Sequence, residues 1–280
     1  MMPREKLNAA RQWMEHLQNR IPWVCSPVQV CARLARGANC VLTVGLSLFL
    51  AAVFLYACYA LWDTWYIYDH AAVHESLLQY KPDPTDEDGE GFAALMARNP
   101  DVCAWLTIED THIDYPVLQG TDNVTYVNTD VYGAFSLSGS IFLDYRNAKD
   151  FTDTYSLIYG HHMDGAVMFG ELASFTEQGY FEEHTTGMLY LPDDTYLIEF
   201  FACLQTDAYD AHMFHPGALA DGEQDSLLEQ VRKTSLQYRE IGVTEEDRIL
   251  ALSTCSNAST NARTMVIGRL TAFSGNGGGH

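Results

Sequence analysis

Apolar residues follow two rhythms along this chain, and the change of rhythm divides it. From Gly37 to Trp62 there is no Asp, Glu, Lys or Arg. A helix needs roughly 20 apolar residues to cross a hydrocarbon core, so this run predicts one transmembrane helix. Tyr56, Tyr59, Trp62, Trp65 and Tyr66 crowd its far end, as an interfacial aromatic belt does. Before it, Leu7, Trp13 and Leu17 mark a weakly amphipathic helix, broken by Pro22 and Pro27. After it, an apolar stripe of Trp65, Tyr68, Val73 and Leu77 predicts that the helix continues through Asp63–Tyr80. Lys81 to Gly91 is acidic and rich in breakers, hence a linker, and Phe92–Arg98 suits a short helix.

From Asp101 onward the pattern becomes short apolar runs between turn residues. Strands are predicted at Ala104–Ile108, Tyr115–Gln119, Gly139–Leu143, Tyr155–Tyr159, Met188–Leu191, Tyr196–Gln205, Arg248–Thr254 and Arg263–Phe273. One helix interrupts them at Asp225–Tyr238, with Leu228, Val231 and Tyr238 on one side. The fold class that follows is mainly β. It is a closed barrel of about eight strands, with N-terminal helices and one helix before the strand that carries Cys255.

Charge gives the membrane reading a direction. The chain of 280 residues has a formal net charge of −21, from 16 basic and 37 acidic residues. Residues 1–39 hold six of the basic residues and two of the acidic ones, so the part after Trp62 holds ten and 35. Basic residues on the N-terminal flank alone put that flank in the cytoplasm. The division expected is a cytoplasmic tail at 1–39, a signal-anchor at 40–62, an extracellular helix and linker at 63–91, the β domain at 92–273 and a disordered tail at 274–280. A cleaved signal has a shorter apolar stretch nearer the start, and the acidic balance argues against nucleic acid as a partner.

Cysteine usage then picks out one residue. Cys25, Cys31, Cys40 and Cys58 lie before or inside the span, leaving Cys103, Cys203 and Cys255 outside. Three is the wrong number for a disulfide framework. Cys103 and Cys203 sit in apolar runs, where a small buried thiol is the ordinary reading. Cys255 ends an apolar run and is followed by polar residues, and Arg263 stands eight positions later before the next run. Two strands joined by a polar loop bring both to one end of a hairpin, where a cation favours the reactive thiolate. A histidine to serve them stands at His161, where the run ending in Gly160 opens into a loop.

These residues resemble class B sortases. The resemblance rests on Leu252-Ser-Thr-Cys255 with Arg263, and on Tyr159-Gly-His-His-Met163 followed by Met168-Phe-Gly-Glu-Leu172. Asn99-Pro-Asp-Val-Cys-Ala-Trp-Leu-Thr-Ile108, Ile113-Asp-Tyr-Pro-Val-Leu-Gln-Gly-Thr-Asp-Asn123 and Gly139-Ser-Ile-Phe-Leu-Asp-Tyr-Arg-Asn147 extend it over residues 90–273. One departure is Ala251, where the family usually has Thr. The resemblance implies a β-barrel cysteine transpeptidase that needs no cofactor or metal. It would cut a sorting motif after Thr and pass the acyl group to an amine. Carried over, Cys255 is the nucleophile, His161 the general acid/base and Arg263 the cation for substrate or oxyanion. Ser253 and Asn123 are supporting substrate-binding residues. The chemistry asks for the same set independently, because thiolate attack on an amide needs oxyanion stabilisation and a proton for the leaving amine.

The implied partners are a sorting-signal peptide, an amine from peptidoglycan or a pilin lysine, and the membrane. Polymerisation of pilus subunits is the alternative within the same chemistry. A silent membrane-tethered peptide-binding domain is the alternative outside it, and it has no need of a thiol. Arg269 competes with Arg263, and His162 with His161. His212 and His215, near Asp207 and Asp210, form a weak metal motif for want of a firm third ligand.

Overall fold

The apolar run folds as part of one long helix. The computed structural model describes residues 4–20, 26–71, 75–82, 90–220, 222–255 and 261–273. Helix α1 spans Arg4–Arg20 and α2 spans Pro27–Ala71. Pro27 heads α2, where its missing N–H is no loss, and the Ser26 hydroxyl accepts the Gln29 amide at 3.3 Å as an N-cap. The stretch Pro27–Tyr68 is long and apolar enough to cross a membrane, so the expected segment 40–62 lies inside a longer helix. Its Leu48, Phe49, Phe54 and Leu55 are all exposed. Helix α2 is described to Ala71 and α3 spans Glu75–Leu78, two residues short of the expected end at Tyr80; residues 72–74 lie outside the described residues. The core of the acidic linker, 83–89, and the expected disordered tail, 274–280, lie outside the described residues.

The chain divides into two units, residues 1–63 and 64–280. The second holds α4 (Glu90–Arg98) and nine strands among the described residues: β1 Val102–Thr107, β2 Asp114–Leu118, β3 Ile141–Leu143, β4 Tyr155–Tyr159, β5 Thr186–Tyr190, β6 Thr195–Asp207, β7 Ser235–Tyr238, β8 Arg248–Cys255 and β9 Ala262–Ala272. The strand order is β5-β1-β2-β3-β4-β8-β9-β6, and β6 pairs back onto β5. Eight strands therefore close a barrel, as the spacing of apolar runs predicts. Strand β6 is 13 residues long. Its first part pairs with β5 (Thr195 opposite Tyr190) and its later part with β7 (Ala202 opposite Tyr238), both along the edge away from β9.

Residues 235–238 correct the expected helix Asp225–Tyr238. Helix α6 spans Glu223–Thr234, and at Ser235 the backbone turns extended (φ −62°, ψ 136°). The later half of β6 offers an open edge there, and pairing with it outweighs a local helical pattern. A 3₁₀ segment at Gly170–Thr176 and α5 (Gln178–Glu183) are helical turns that the sequence pattern does not announce.

Strands that are apolar at every position, such as Ile249–Leu252, are covered on both faces. Leu250 and Leu252 join Ile158, Phe169, Phe175, Phe200 and Val266 in the main core. Ile249 and Ala251 face the other way, with Leu157, Met265, Ile267 and the α6 residues Leu227 and Val231. Burying each large side chain contributes about 1.5–3 kcal/mol. Between these layers the strand ends have little freedom to shift.

Candidate active site

Two pairings decide where the chemistry-bearing residues meet. Strand β4 runs parallel to β8, with Tyr159 opposite Ser253, so the C-terminal ends of both reach the same rim of the barrel. Strand β9 runs antiparallel to β8, with Arg263 opposite Cys255 as the last pair, so β9 begins at that rim. His161 follows directly after β4 and its Gly160. The described backbone thus gathers His161, Cys255 and Arg263 at one edge. The loop 256–260 and the Cys255 side chain lie outside the described part.

A cavity of about 400 Å³ opens at this rim. It is lined by His161, Arg263, Ser253 and Asn123, all singled out from the sequence, and by Thr254, Tyr159 and Phe214 among others. His162 and Arg269 are absent from its lining. Arg269 is instead bound to Glu199, with its Nη2 and Nε donating to Oε2 at 2.7 and 3.0 Å. Of the two arginines weighed from the sequence, Arg263 lines the cavity and Arg269 is held by Glu199.

Gly160 is required where it stands. A Cβ there would lie 2.5 Å from Ile141 Cδ1 and 2.7 Å from the Phe169 ring. Its amide donates to the Ser253 carbonyl at 3.1 Å, tying the approach to His161 onto β8. The His161 ring is fixed from the far side, with Nε2 2.8 Å from the Val127 carbonyl oxygen. A carbonyl only accepts, so Nε2 carries the proton and Nδ1 is the atom left to gain and lose one. The Arg263 guanidinium donates from Nη1 to the Ala262 carbonyl at 3.0 Å, which holds it near its own strand.

Ser253 and Thr254 are almost fully buried, and among the described residues their hydroxyl oxygens have no hydrogen-bond partner. Unpaired hydroxyls beside a cavity are unusual, because burying one without a partner costs free energy. Asn123 is differently placed. Its Nδ2 donates to Asp144 Oδ2 at 2.8 Å and its Oδ1 accepts the Tyr145 amide at 3.0 Å, so its side chain shapes the wall. Tyr159 donates its hydroxyl to the same Asp144 oxygen at 2.9 Å. Burial alone would raise the Asp144 carboxyl, but hydrogen bonds from Arg146, Asn123 and Tyr159 outweigh it and hold the group below the usual carboxylate range. Burial, then the nearby Asp144 charge, pushes the Tyr159 phenol up, so it stays a donor.

Sequence reasoning missed Tyr159, Phe214 and Asp144. Asp144 lies in the stretch Gly139–Asn147, quoted above without a role, and a charged residue in a turn reads from sequence as solvated. His212, the weak metal candidate, donates from Nδ1 to Gln230 Oε1 at 2.7 Å, and Gln230 in turn donates to Asp210. This is a hydrogen-bonded loop base, and no metal-holding group of residues occurs among the described residues.

The sortase domain family model matches residues 106–271, more than half of the chain. The chain belongs to the sortase family. Sortase B of Listeria monocytogenes is 33% identical over 178 residues, covering 63% of this chain and 72% of that protein. A class B sortase of Streptococcus pyogenes involved in pilus biogenesis is 46% identical, covering 66% of this chain and all of that one at a TM-score of 0.60. The Staphylococcus aureus sortase B–substrate complex is 29% identical, covering 66% and 86% at a TM-score of 0.62. These likenesses make this sortase class B and a cysteine transpeptidase. The closed eight-stranded barrel is the fold that this sortase shares with them.

Proposed function

We propose that this sortase cleaves a sorting signal after Thr with Cys255 and transfers the acyl group to an amine of peptidoglycan or its precursor. The observation that carries this reading is the convergence of the β4 end, the β8 end and Arg263 on one cavity. The Cys255 thiolate attacks the Thr carbonyl, and the guanidinium of Arg263 stabilises the oxyanion. The C–N bond breaks as the imidazolium of His161 gives its Nδ1 proton to the leaving amine. The acceptor amine attacks the thioester, loses its proton to His161, and the C–S bond breaks to restore the thiolate. Ser253 and Asn123 serve peptide binding, Ser253 through a hydroxyl that has no partner among the described residues and Asn123 as part of the wall.

In this reading residues 1–39 are cytoplasmic, 40–62 span the membrane, 63–91 link, and 92–273 form the catalytic domain outside. The apolar surface of α2 and the basic N-terminal flank support that orientation. Joining pilus subunits through a lysine is the second reading. It is favoured by the 46% identity to a relative involved in pilus biogenesis.

The test incubates the protein with a panel of sorting-signal peptides and reads intact mass, with Cys255→Ala as control. An acyl adduct confined to the wild type, released faster by an amine than by water, is expected. A reactive thiol that forms no adduct with any peptide would reject the proposed substrate. Release by a peptidoglycan-stem amine or by a pilin lysine decides between the two acceptors.

A further inference from the structure

Asp144 is wholly buried yet does not line the cavity. Its Oδ2 accepts three hydrogen bonds, from Asn123 Nδ2 at 2.8 Å, Tyr159 OH at 2.9 Å and Arg146 Nη2 at 2.7 Å. Its Oδ1 accepts the Arg146 amide at 3.0 Å and Arg146 Nε at 2.8 Å. The same Arg146 Nη2 donates to the Phe214 carbonyl at 3.0 Å, and the Phe214 ring lies parallel to Tyr159 with centroids 6.4 Å apart. Asn123, Tyr159 and Phe214 come from three different parts of the chain: the loop after β2, the end of β4 and the loop after β6. All three line the cavity.

The loop after β2 meets the chain beyond β4 through His161 Nε2, which donates to the Val127 carbonyl at 2.8 Å. The loop after β6 meets β4 at Tyr155, which exchanges main-chain bonds with Gly217 and donates its hydroxyl to the Met213 carbonyl at 2.8 Å. These bonds leave Asn123 and the two loops unjoined to each other, and the carboxylate and the guanidinium fork supply that link. Charge-assisted hydrogen bonds are shorter and stronger than neutral ones, and a bidentate Arg–carboxylate pair has a fixed geometry. Other bonds hold each loop at its base, Gln119 to the Asp144 and Asn147 carbonyls and Thr206 to Asp210. At the cavity itself Asp144 and Arg146 add the bonds that tie Asn123, Tyr159 and the Phe214 carbonyl to one centre.

We propose that Asp144 and Arg146 form a positioning pair that sets the width of the peptide cavity, acting on substrate binding through Asn123, Tyr159 and Phe214 without touching substrate. The inference rests on the reading of this cavity as the seat of the sorting peptide. A pair that only stabilised its own turn would bond within residues 144–147. Here it spends a shared oxygen on two cavity walls and a guanidinium nitrogen on the third.

Arg146→Lys tests it, in the full-length protein in detergent micelles. Lysine keeps the charge but cannot hold Asp144 and the Phe214 carbonyl together. KM for the peptide is expected to rise about tenfold with kcat within about twofold, because binding is lost and chemistry is not. The rate of Cys255 alkylation and its pH profile are expected to stay as in the wild type. Amide exchange, measured with no peptide present, is expected to quicken in both 119–127 and 208–217 while β8 and β9 keep their protection. Faster exchange confined to residues 144–147, or an unchanged KM, would overturn the proposal. A wild-type protein that acylates no peptide would reject the reading of the cavity, and exchange in the two loops would still decide the role of the pair.

Discussion

The amide of Gly160 donates to the carbonyl of Ser253 at 3.1 Å, one residue beyond the last β4–β8 pair, Tyr159 with Ser253. This bond carries the parallel ladder past the end of β4. It fixes the residue before His161 against the strand that ends two residues later at Cys255. The residues proposed as general acid/base and nucleophile, almost a hundred positions apart, are thus held by main-chain atoms.

Crowding at Gly160 makes it sensitive to the smallest addition. Gly160→Ala forces a methyl against Ile141 and the Phe169 ring, and overpacking of this kind costs about 1–3 kcal/mol. The thermal midpoint is expected to fall, and kcat/KM to fall further than stability explains, since the strand end carrying His161 must move. Wild-type kinetics in the alanine variant would show that the ring yields instead.

The thiols outside the apolar helix differ in reactivity. Burial pushes Cys103 and Cys203 up to about 12, so at pH 8 only about one part in ten thousand of either is thiolate. Brief alkylation of the folded protein, followed by peptide mass mapping, is expected to modify Cys255 and spare both. Labelling of Cys103 or Cys203 is expected only after unfolding.

Arg263 is assigned to charge stabilisation, and that role has a kinetic signature. Removing one such donor typically costs about 10²–10³ in kcat. Arg263→Ala is expected to lose that much with a smaller change in KM, and Arg263→Lys to recover part of it. A variant whose KM rises while kcat holds would make Arg263 a peptide-binding residue only.

Acid stability follows from Asp144. Its carboxyl is held below the usual range in the folded protein, so the unfolded chain binds the proton more readily. The contribution is fully present above the unfolded value of about 4 and is lost as pH falls toward the lower folded value. Asp144→Ala is expected to lower stability by about 3 kcal/mol at pH 7, leaving Arg146 without its partner. Below pH 3 the difference from wild type is expected to narrow, as chemical denaturation at a series of pH values would read. A constant difference down to pH 2 would contradict the sign.

Much of this protein is determined by local pattern. The uncharged run from Gly37 to Trp62 needs no fold to be read, since its length and composition are set by the medium it suits. Apolar runs bounded by turn residues mark eight of the nine strands, because strands buried on both faces must be apolar throughout. Cys255, His161 and Arg263 stand out by residue type at strand ends. Register between distant strands has no such local signature. Only the tertiary structure decides that β4 lies parallel to β8, that 235–238 leaves the helix for the open edge of β6, and that Arg269 is taken by Glu199. Asp144 makes the same point from the side of charge. A carboxylate in a turn looks solvated in the sequence, and becomes the buried junction of three cavity walls only when segments from 123, 159 and 214 arrive around it. Local periodicity reports what each segment can bury; which segments meet depends on contacts between residues far apart in the chain.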